Sequence, residues 1–163
     1  MTLTEGIKSK ITAEANQWLE TQYAGKTLEQ RRALGAFFTP PELVIQMLEK
    51  FENLNGTVLD PTCGCGGLLA AAVIAGADPN KCYGIELDKD ILKVCQERLK
   101  KLGVPEKNLR HGNALNPDCY DFDLKDNETY NFYPNKGPNG TVKIIKNGKE
   151  KKKFVFGGIS LRK

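Results

Sequence analysis

The sequence predicts an α/β fold with a mostly parallel sheet, and three observations support that prediction. From residue 57 onward, strand-like and helix-like segments alternate, which favours crossover connections between parallel strands. A glycine-rich turn stands directly after the first of these strands and leads into a helix-like segment. The chain has 163 residues, 40% hydrophobic and 27% charged, which is enough for the core of one compact domain.

Two helices are predicted at the amino terminus. Residues 4–23 carry apolar side chains at helical spacing, and Gly25 follows them as a stop. Residues 27–35 begin with a capping pattern, in which Thr27 is followed three positions later by Gln30. The first helix is amphipathic, so we expect it to cover one side of the core.

A third helix is predicted from residue 39 to about residue 51. Thr39 is a good N-cap and Pro40 suits the first helical position. Apolar spacing then places Leu43 and Met47 on the inward face, together with Leu48 or Phe51. Phe37 and Phe38 are expected in the loop before it.

The alternation that defines the fold comprises three strands and two helices. The predicted strands are residues 57–60, 82–87 and 108–115, and the predicted helices are residues 67–76 and 90–102. The second of these helices has the clearest ends, because Asp88 can cap it and Gly103 can stop it.

The five cysteines are expected to be reduced thiols. Their number is odd, they stand in apolar stretches, and the N-terminus lacks the apolar centre of a signal peptide. Cys63 and Cys65 would supply half of a tetrahedral zinc site, but the chain offers one histidine, His111, so we expect no metal. No segment approaches the roughly 18 apolar residues of a membrane span, so a cytoplasmic location is expected.

Basic charge is concentrated at the carboxyl end. Residues 136–163 carry nine Lys or Arg and one acidic residue, whereas residues 1–135 have a net charge of −4. Residues 141–156 are typical of a hairpin around Asn147-Gly148. Its lysines either contact phosphates of a nucleic acid without sequence specificity, or form a solvated hairpin at a sheet edge. The residues concerned are Lys146, Lys149, Lys151, Lys152 and Lys153.

The glycine turn indicates a nucleoside-containing cofactor. At the carboxyl end of a parallel strand, Gly64 and Gly66 let a ligand approach the main chain, and the next helix offers free N–H groups. Glu86 ends the second strand, where a carboxylate can accept both hydroxyls of a ribose. Leu69 stands where a dinucleotide fingerprint has its third glycine, and Asp60 would repel a pyrophosphate but favour a cationic group. The alternative is a tight turn that only packs.

Four segments resemble a known family. Residues 60–69 (DPTCGCGGLL) resemble the cofactor motif of class I methyltransferases that modify adenine amino groups in DNA. Residues 35–40 (GAFFTP) resemble the motif that precedes it in the gamma arrangement of that family, as in type I modification subunits. Glu86 matches the ribose-binding carboxylate, and residues 112–115 (GNAL) resemble the segment that contacts adenine, with Asn113 in place of the usual Asp.

The resemblance implies a truncated Rossmann-like class I methyltransferase fold that uses S-adenosylmethionine and transfers its methyl group to N6 of adenine in DNA. We expect one domain, 1–163, with N-terminal helices in 1–52, a Rossmann-like core in 53–124 and a basic C-terminal hairpin region in 125–163. The cofactor-binding residues implied are Phe37, Thr39, Pro40, Asp60, Pro61, Cys63, Gly64, Gly66, Glu86, Leu87, Asn113 and Ala114.

The family's catalytic Asn/Asp/Ser-Pro-Pro-Tyr/Phe motif is not found. The nearest match is NFYP, whose candidate residues are Asn131, Tyr133 and Pro134 in scrambled order; the alternative is a plain aromatic turn. A non-catalytic cofactor-binding regulator or decoy in restriction-modification, and a methyltransferase of RNA or protein, therefore remain open. DNA is the expected partner, in a bacterial or phage-host cytoplasm, and a second chain could supply specificity or the catalytic loop.

Overall fold

The computed structural model describes residues 1–120, 122, 130–134, 141–146 and 149–156; at 117, 118 and the last three ranges only the backbone is described. The helices are α1 (Glu5–Gln17), α2 (Leu28–Leu34), α3 (Pro41–Leu48), α4 (Gly67–Ile74) and α5 (Lys89–Lys100). The strands are β1 (Thr57–Asp60), β2 (Cys82–Glu86), β3 (Leu109–His111), β4 (Tyr130–Pro134), β5 (Thr141–Lys146) and β6 (Lys149–Phe156).

The strands form one sheet in the order β3-β2-β1-β6-β5-β4. Strands β3, β2, β1 and β6 are parallel to one another, whereas β5 is antiparallel to both β6 and β4. The α/β class and the parallel sheet are therefore confirmed. Because β2 follows β1 on one side and β6 flanks it on the other, the carboxyl end of β1 lies where a crevice forms in such sheets.

Helix α4 is central to the packing. It contacts β1 and β2 of the sheet and also α1, α3 and α5. Its run of Leu69, Ala70, Ala71 and Ala72 is buried, and the small alanine side chains allow neighbouring elements to approach closely. Each fully buried leucine of this core contributes about 1.5–3 kcal/mol relative to an exposed one.

The N-terminal helices differ in detail from the sequence prediction. Helix α2 has the predicted capping box between Thr27 and Gln30. Helix α1 ends at Gln17 instead of near residue 23, and turns follow it to residue 25. Trp18 is buried at this end, whereas Leu19 is 54% exposed.

The predicted start of the third helix was wrong by one residue, and on its predicted inward face Leu48 is buried but Leu43 is not. Pro40, not Thr39, is the N-cap of α3, and Pro41 takes the first helical position. The cause is local, because a residue before proline is driven out of the helical region, and Pro40 accordingly has ψ 147°. Val44 is buried in this helix, whereas Leu43 is 47% exposed.

The basic hairpin forms from β5 and β6, with Lys146 paired to Lys149. The predicted turn at Asn147-Gly148 lies outside the described residues. Strand β6 lies between β1 and β5, and β4 lies outside β5, so the predicted edge position of the hairpin was wrong. Among the described residues, no helix is long and apolar enough to cross a membrane.

Candidate functional site

A cavity of about 610 Å³ opens at the carboxyl edge of the parallel strands. The segments that follow β1, β2 and β3 line it on one side, and residues of α1 and of the 35–41 segment line it on the other. Its volume is within the range of about 300–1,000 Å³ that is typical of ligand and cofactor sites. The sheet therefore places its first three strand ends around one pocket.

The glycine turn after β1 contains two residues with left-handed backbone conformation. Gly64 has φ 53° and Gly66 has φ 82°, conformations that favour glycine. The turn is tied to β2, because the Cys63 N–H donates to the Ile85 carbonyl at 2.9 Å and the Gly64 N–H donates to a Glu86 carboxylate oxygen at 2.9 Å. Gly66 then serves as the N-cap of α4.

Phe38 lies directly on this turn. A Cβ atom on Gly64 would come within 2.6 Å of the Phe38 ring, so no larger residue fits while that ring stays in place. Phe38 also packs against the ring of Tyr23, tilted by 37° with the ring centroids 4.4 Å apart. The Arg31 guanidinium in turn lies 4.1 Å from the Tyr23 centroid. This column holds the 35–40 segment over the glycine turn.

Both carboxylate oxygens of Glu86 accept backbone hydrogen bonds. One accepts from Gly64 N at 2.9 Å and the other from Asp88 N at 2.8 Å. Glu86 thus connects the turn after β1 to the start of α5. Each carboxylate oxygen has a second lone-pair direction, so Glu86 keeps the capacity to accept from a ligand.

Asp60, at the end of β1, is 5% exposed and accepts from the Thr62 N–H at 3.1 Å. Burial raises the pKa of Asp60 to about 7, the Thr62 hydrogen bond lowers it, and the charge of Glu86 raises it further. Among the described side chains, no cation forms an ion pair with Asp60. A cationic ligand group in the cavity would fit this carboxylate.

The segment after β3 forms a turn at the cavity. The Asn113 side-chain oxygen accepts from Leu115 N at 2.9 Å, and the Ala114 carbonyl accepts from the Tyr120 hydroxyl at 2.8 Å. His111 contacts the Leu87 carbonyl at 3.0 Å, which joins this turn to the end of β2. Leu87 and Leu115 are largely exposed and give the cavity an apolar rim.

The structure brings most of the sequence-predicted cofactor residues together. All of them except Gly66 line this cavity, and they come from four segments of the chain. A Cβ on Gly66 would meet Cys95 and Leu99 at 3.0 Å, so this glycine permits close packing on α5. Its part in the site is to start α4, not to face the cavity.

The weak catalytic candidates and the lysines lie elsewhere in the sheet. Asn131, Tyr133 and Pro134 belong to β4, the outermost strand, with β5 and β6 between it and β1. On β6, Lys149 to Lys153 precede Phe154, which pairs with Thr57 at the amino end of β1. The lysine run therefore lies toward the amino ends of the parallel strands, whereas the cavity lies at their carboxyl ends.

Two features of the site were missed from the sequence. Phe38 was placed in a loop without a role, although its neighbours were selected. Arg98 is 3% exposed and lines the cavity, bonded to Glu14 of α1 and to Cys65 of the glycine turn. A signal was present, because Arg98 interrupts the buried stripe of α5, seven residues after Ile91.

The cysteines are thiols, as expected. All five are free, four of them buried and Cys119 partly so. The Cys63 and Cys95 sulfurs are 3.8 Å apart, and a Cβ on Gly84 would lie 2.8 Å from Cys63 Sγ. Cys63 thus fills a small space between β2 and α5.

Comparison with known proteins identifies the family of this chain. The model of the N-6 DNA methylase family matches residues 10–133. Ribosomal RNA small subunit methyltransferase H of Pseudothermotoga lettingae is 39% identical over 61 residues, 37% of this chain and 20% of that protein. Type II methyltransferase M.NspV of Nostoc sp. is 30% identical over 87 residues, 52% of this chain and 18% of that protein.

The chain spans about a fifth of the length of these curated relatives. One similar solved structure is the RNA methyltransferase from Salinibacter ruber in complex with S-adenosyl-L-homocysteine. It shares 28% identity and a TM-score of 0.42, and the match covers 50% of this chain and 54% of that one.

Proposed function

The chain belongs to the N-6 DNA methylase family, a family of S-adenosylmethionine-dependent methyltransferases with a Rossmann-like fold, and we propose that it transfers a methyl group to N6 of adenine in DNA. The observation that carries the proposal is the match over residues 10–133, a range that includes every residue that lines the cavity. S-adenosylmethionine is the cofactor, and it supplies an electrophilic methyl group.

The cavity residues have distinct roles in this proposal. Asp60 pairs with the positive charge of the amino-acid part of the cofactor, because it is buried without a cationic partner among the described side chains. Glu86 accepts the ribose hydroxyls, and its two backbone hydrogen bonds fix its orientation. Asn113 and Leu87 lie where the adenine ring would fit, after β3 and β2.

The remaining cofactor contacts follow from the same arrangement. The turn of Cys63 and Gly64 exposes main chain to the cavity, and the 35–40 segment covers it. Gly66 acts by starting α4, and the other members of the proposed cofactor set, which line the cavity, are Phe37, Thr39, Pro40, Pro61 and Ala114. Their common function is to exclude water and position the donor, which is how this class of reaction gains most of its rate.

The hairpin lysines are proposed to contact DNA phosphates without reading sequence. Parallel pairing puts Lys149 about five residues before Phe154, whereas Asp60 lies three residues beyond Thr57. At about 3.3 Å per residue this separates Lys149 and Asp60 by roughly 25 Å along the strands. Such lysines would add salt-dependent affinity away from the target base, and a second chain could supply the sequence specificity.

An RNA substrate is the second candidate, supported by the similarity to ribosomal RNA small subunit methyltransferase H. A cofactor-binding protein without transfer activity is the third, supported by the sequence, in which the family's catalytic tetrapeptide is not found. The three candidates differ in where a labelled methyl group appears.

The test is a transfer assay. The chain is incubated with methyl-labelled S-adenosylmethionine and either methyl-free DNA or RNA, and the digested nucleic acid is analysed for N6-methyladenine by mass spectrometry. We expect label in DNA. Asp60→Ala and Glu86→Ala should lose transfer, whereas the control Asp78→Ala, which lies outside the cavity, should transfer methyl groups like the unaltered chain. Label in RNA alone would support the second candidate, and cofactor binding without transfer the third.

A further inference from the structure

Arg98 is a buried cation at the end of the cavity nearest the start of α4. It is 3% exposed, and among the described residues it is the one Lys or Arg that lines the cavity. Its Nη1 atom lies 3.1 Å from Cys65 Sγ and would be 3.5 Å from a Cβ atom on Gly67. The guanidinium thus contacts the glycine turn from the side of α5.

The same side chain binds helix α1. Arg98 Nε donates to one Glu14 oxygen at 2.8 Å and Nη2 donates to the other at 2.6 Å, a bidentate pair between residues 84 positions apart. Trp18, near the end of α1, lies 5.9 Å from the guanidinium by its ring centroid. Arg98 therefore joins three elements: α1, α5 and the turn after β1.

A buried ion pair is a poor means of stabilising a fold, because desolvation of both charges offsets most of their attraction. Apolar residues would join α1 to α5 at least as well. The third contact is more specific: burial raises the pKa of Cys65 to about 11, so Cys65 accepts from Arg98 as a neutral thiol. That bond restrains Cys65, whose neighbour Gly64 is bonded to Glu86.

The order of the strands indicates which part of the cofactor would lie at this end of the cavity. In the proposed function the adenine lies after β3 and the ribose after β2, and the sheet order continues to β1. The amino-acid part of the cofactor then lies beside the turn after β1. That turn is bounded by Asp60 on the strand side and by Cys65 and Gly67 on the Arg98 side.

We propose that Arg98, oriented by Glu14, is a positioning residue that holds the glycine turn through Cys65 in the conformation that binds the amino-acid part of the cofactor. The inference rests on the proposed function, and it assigns a binding role to the N-terminal helix α1. It predicts that loss of the Glu14–Arg98–Cys65 connection changes ligand selectivity and not only fold stability.

Two ligands separate these effects. S-adenosylhomocysteine carries the amino-acid part, whereas methylthioadenosine has the same adenosine and thioether without it. We expect the double variant Glu14→Gln/Arg98→Met, which leaves no unpaired charge, to bind S-adenosylhomocysteine roughly tenfold more weakly and methylthioadenosine less than twofold more weakly. Cys65→Val should shift the ratio of the two dissociation constants in the same direction, and Cys65→Ser, which keeps an acceptor, should shift it less.

Lys8→Met is the matched control. Lys8 also joins α1 to another element, with its Nζ atom 3.3 Å from Glu49 at the end of α3, but neither residue lines the cavity. It should change the thermal midpoint without changing the ratio of dissociation constants, measured by calorimetry at a temperature where each variant is folded.

Three outcomes would contradict the inference. Equal weakening of both ligands in the double variant would mean that the connection supports the fold alone, and an equal shift of the ratio in Lys8→Met would mean that any loosening of α1 suffices. Either result leaves the proposed function intact. Failure of the unaltered chain to bind S-adenosylhomocysteine would overturn the proposed function and this inference together.

Discussion

The carboxyl ends of the neighbouring strands β1 and β2 each carry an acid, but their surroundings differ. Asp60 is buried with one hydrogen bond, from Thr62, and a pKa raised to about 7 by burial. Glu86 is half-buried, and each of its oxygens accepts from a backbone N–H. We infer that the charge of Asp60 is left for a cationic group of the ligand. Glu86, in contrast, both holds the glycine turn and the start of α5 and binds the ribose.

The largest effect is expected from Asp60→Asn. The ionised form of Asp60 is disfavoured in the fold, since its pKa is about 7 instead of 3.8, a cost on the order of 4 kcal/mol at pH 8. Asparagine removes that cost and keeps an acceptor for Thr62. Denaturant unfolding at pH 8 should show a more stable protein, whereas calorimetry should show S-adenosylmethionine binding weakened about a hundredfold.

Asp78→Asn is the control for this variant. Asp78 also accepts from the N–H two residues later, at 3.0 Å, but it is partly exposed and outside the cavity. It should change neither unfolding nor binding appreciably. If Asp60→Asn were less stable than the unaltered chain at pH 8, the view that Asp60 is electrostatically unsatisfied would be wrong.

The contrast between these two acids was only partly predictable from sequence. The positions of Asp60 and Glu86 follow from local patterns, because each ends a strand and precedes a helix start. The packing around them is not local: Phe38 contacts the glycine turn between them from 26 positions away. Contacts at such separation leave no periodic signal, so the role of Phe38 was missed although its motif was recognised.

The same distinction applies to the fold. The caps at Thr27 and Asp88 were predicted correctly, because a cap is a contact within three residues. The start of α3 was wrong, because two local preferences competed and the conformation required before Pro41 prevailed over the capping preference of Thr39. The pairing of β5 with β6 was predicted from the hairpin pattern, whereas the pairing of β6 with β1 is long-range and had no sequence pattern to indicate it.

The second prediction concerns pH. A cation binds the ionised form of Asp60, so affinity for S-adenosylmethionine should rise about tenfold between pH 6 and pH 8 as the carboxyl loses its proton. Without ligand the sign is opposite: because the folded pKa lies above the unfolded value, stability contributed by this group falls as pH rises from about 4 to 7. Calorimetry in buffers of different ionisation enthalpy should detect proton release on binding near pH 7.

Methylthioadenosine is the ligand control for this pH profile. It has no ammonium group, so its affinity should stay nearly constant over the same range. A flat profile for S-adenosylmethionine, or equal profiles for the two ligands, would remove Asp60 from the proposed charge pair.

The third prediction concerns Glu86→Gln. The amide keeps one acceptor and replaces the other with a donor, so either Gly64 N or Asp88 N loses its partner. In contrast to Asp60→Asn, this change should destabilise the fold, by about 1–3 kcal/mol. Binding of methylthioadenosine should weaken several-fold, because the ribose is common to both ligands, and the exposed Glu106→Gln should behave like the unaltered chain. A stability gain would contradict the organising role of Glu86.

The smallest effect is expected at Lys26, which lies beside the backbone hydrogen bonds of Glu86 but takes no part in them. Its Nζ atom is 3.0 Å from Asp88 Oδ2 and 3.6 Å from Asp90 Oδ2, whereas the contact of Asp88 with Glu86 is through its backbone N–H. Lys26→Met should therefore change the thermal midpoint by less than about 3 °C and ligand affinity less than twofold. Thermal melts in low and high salt, with titrations of both ligands, measure this. A loss of affinity as large as that of Glu86→Gln would mean that Asp88 orients Glu86 through its side chain, and that Glu86 is not held by the backbone alone.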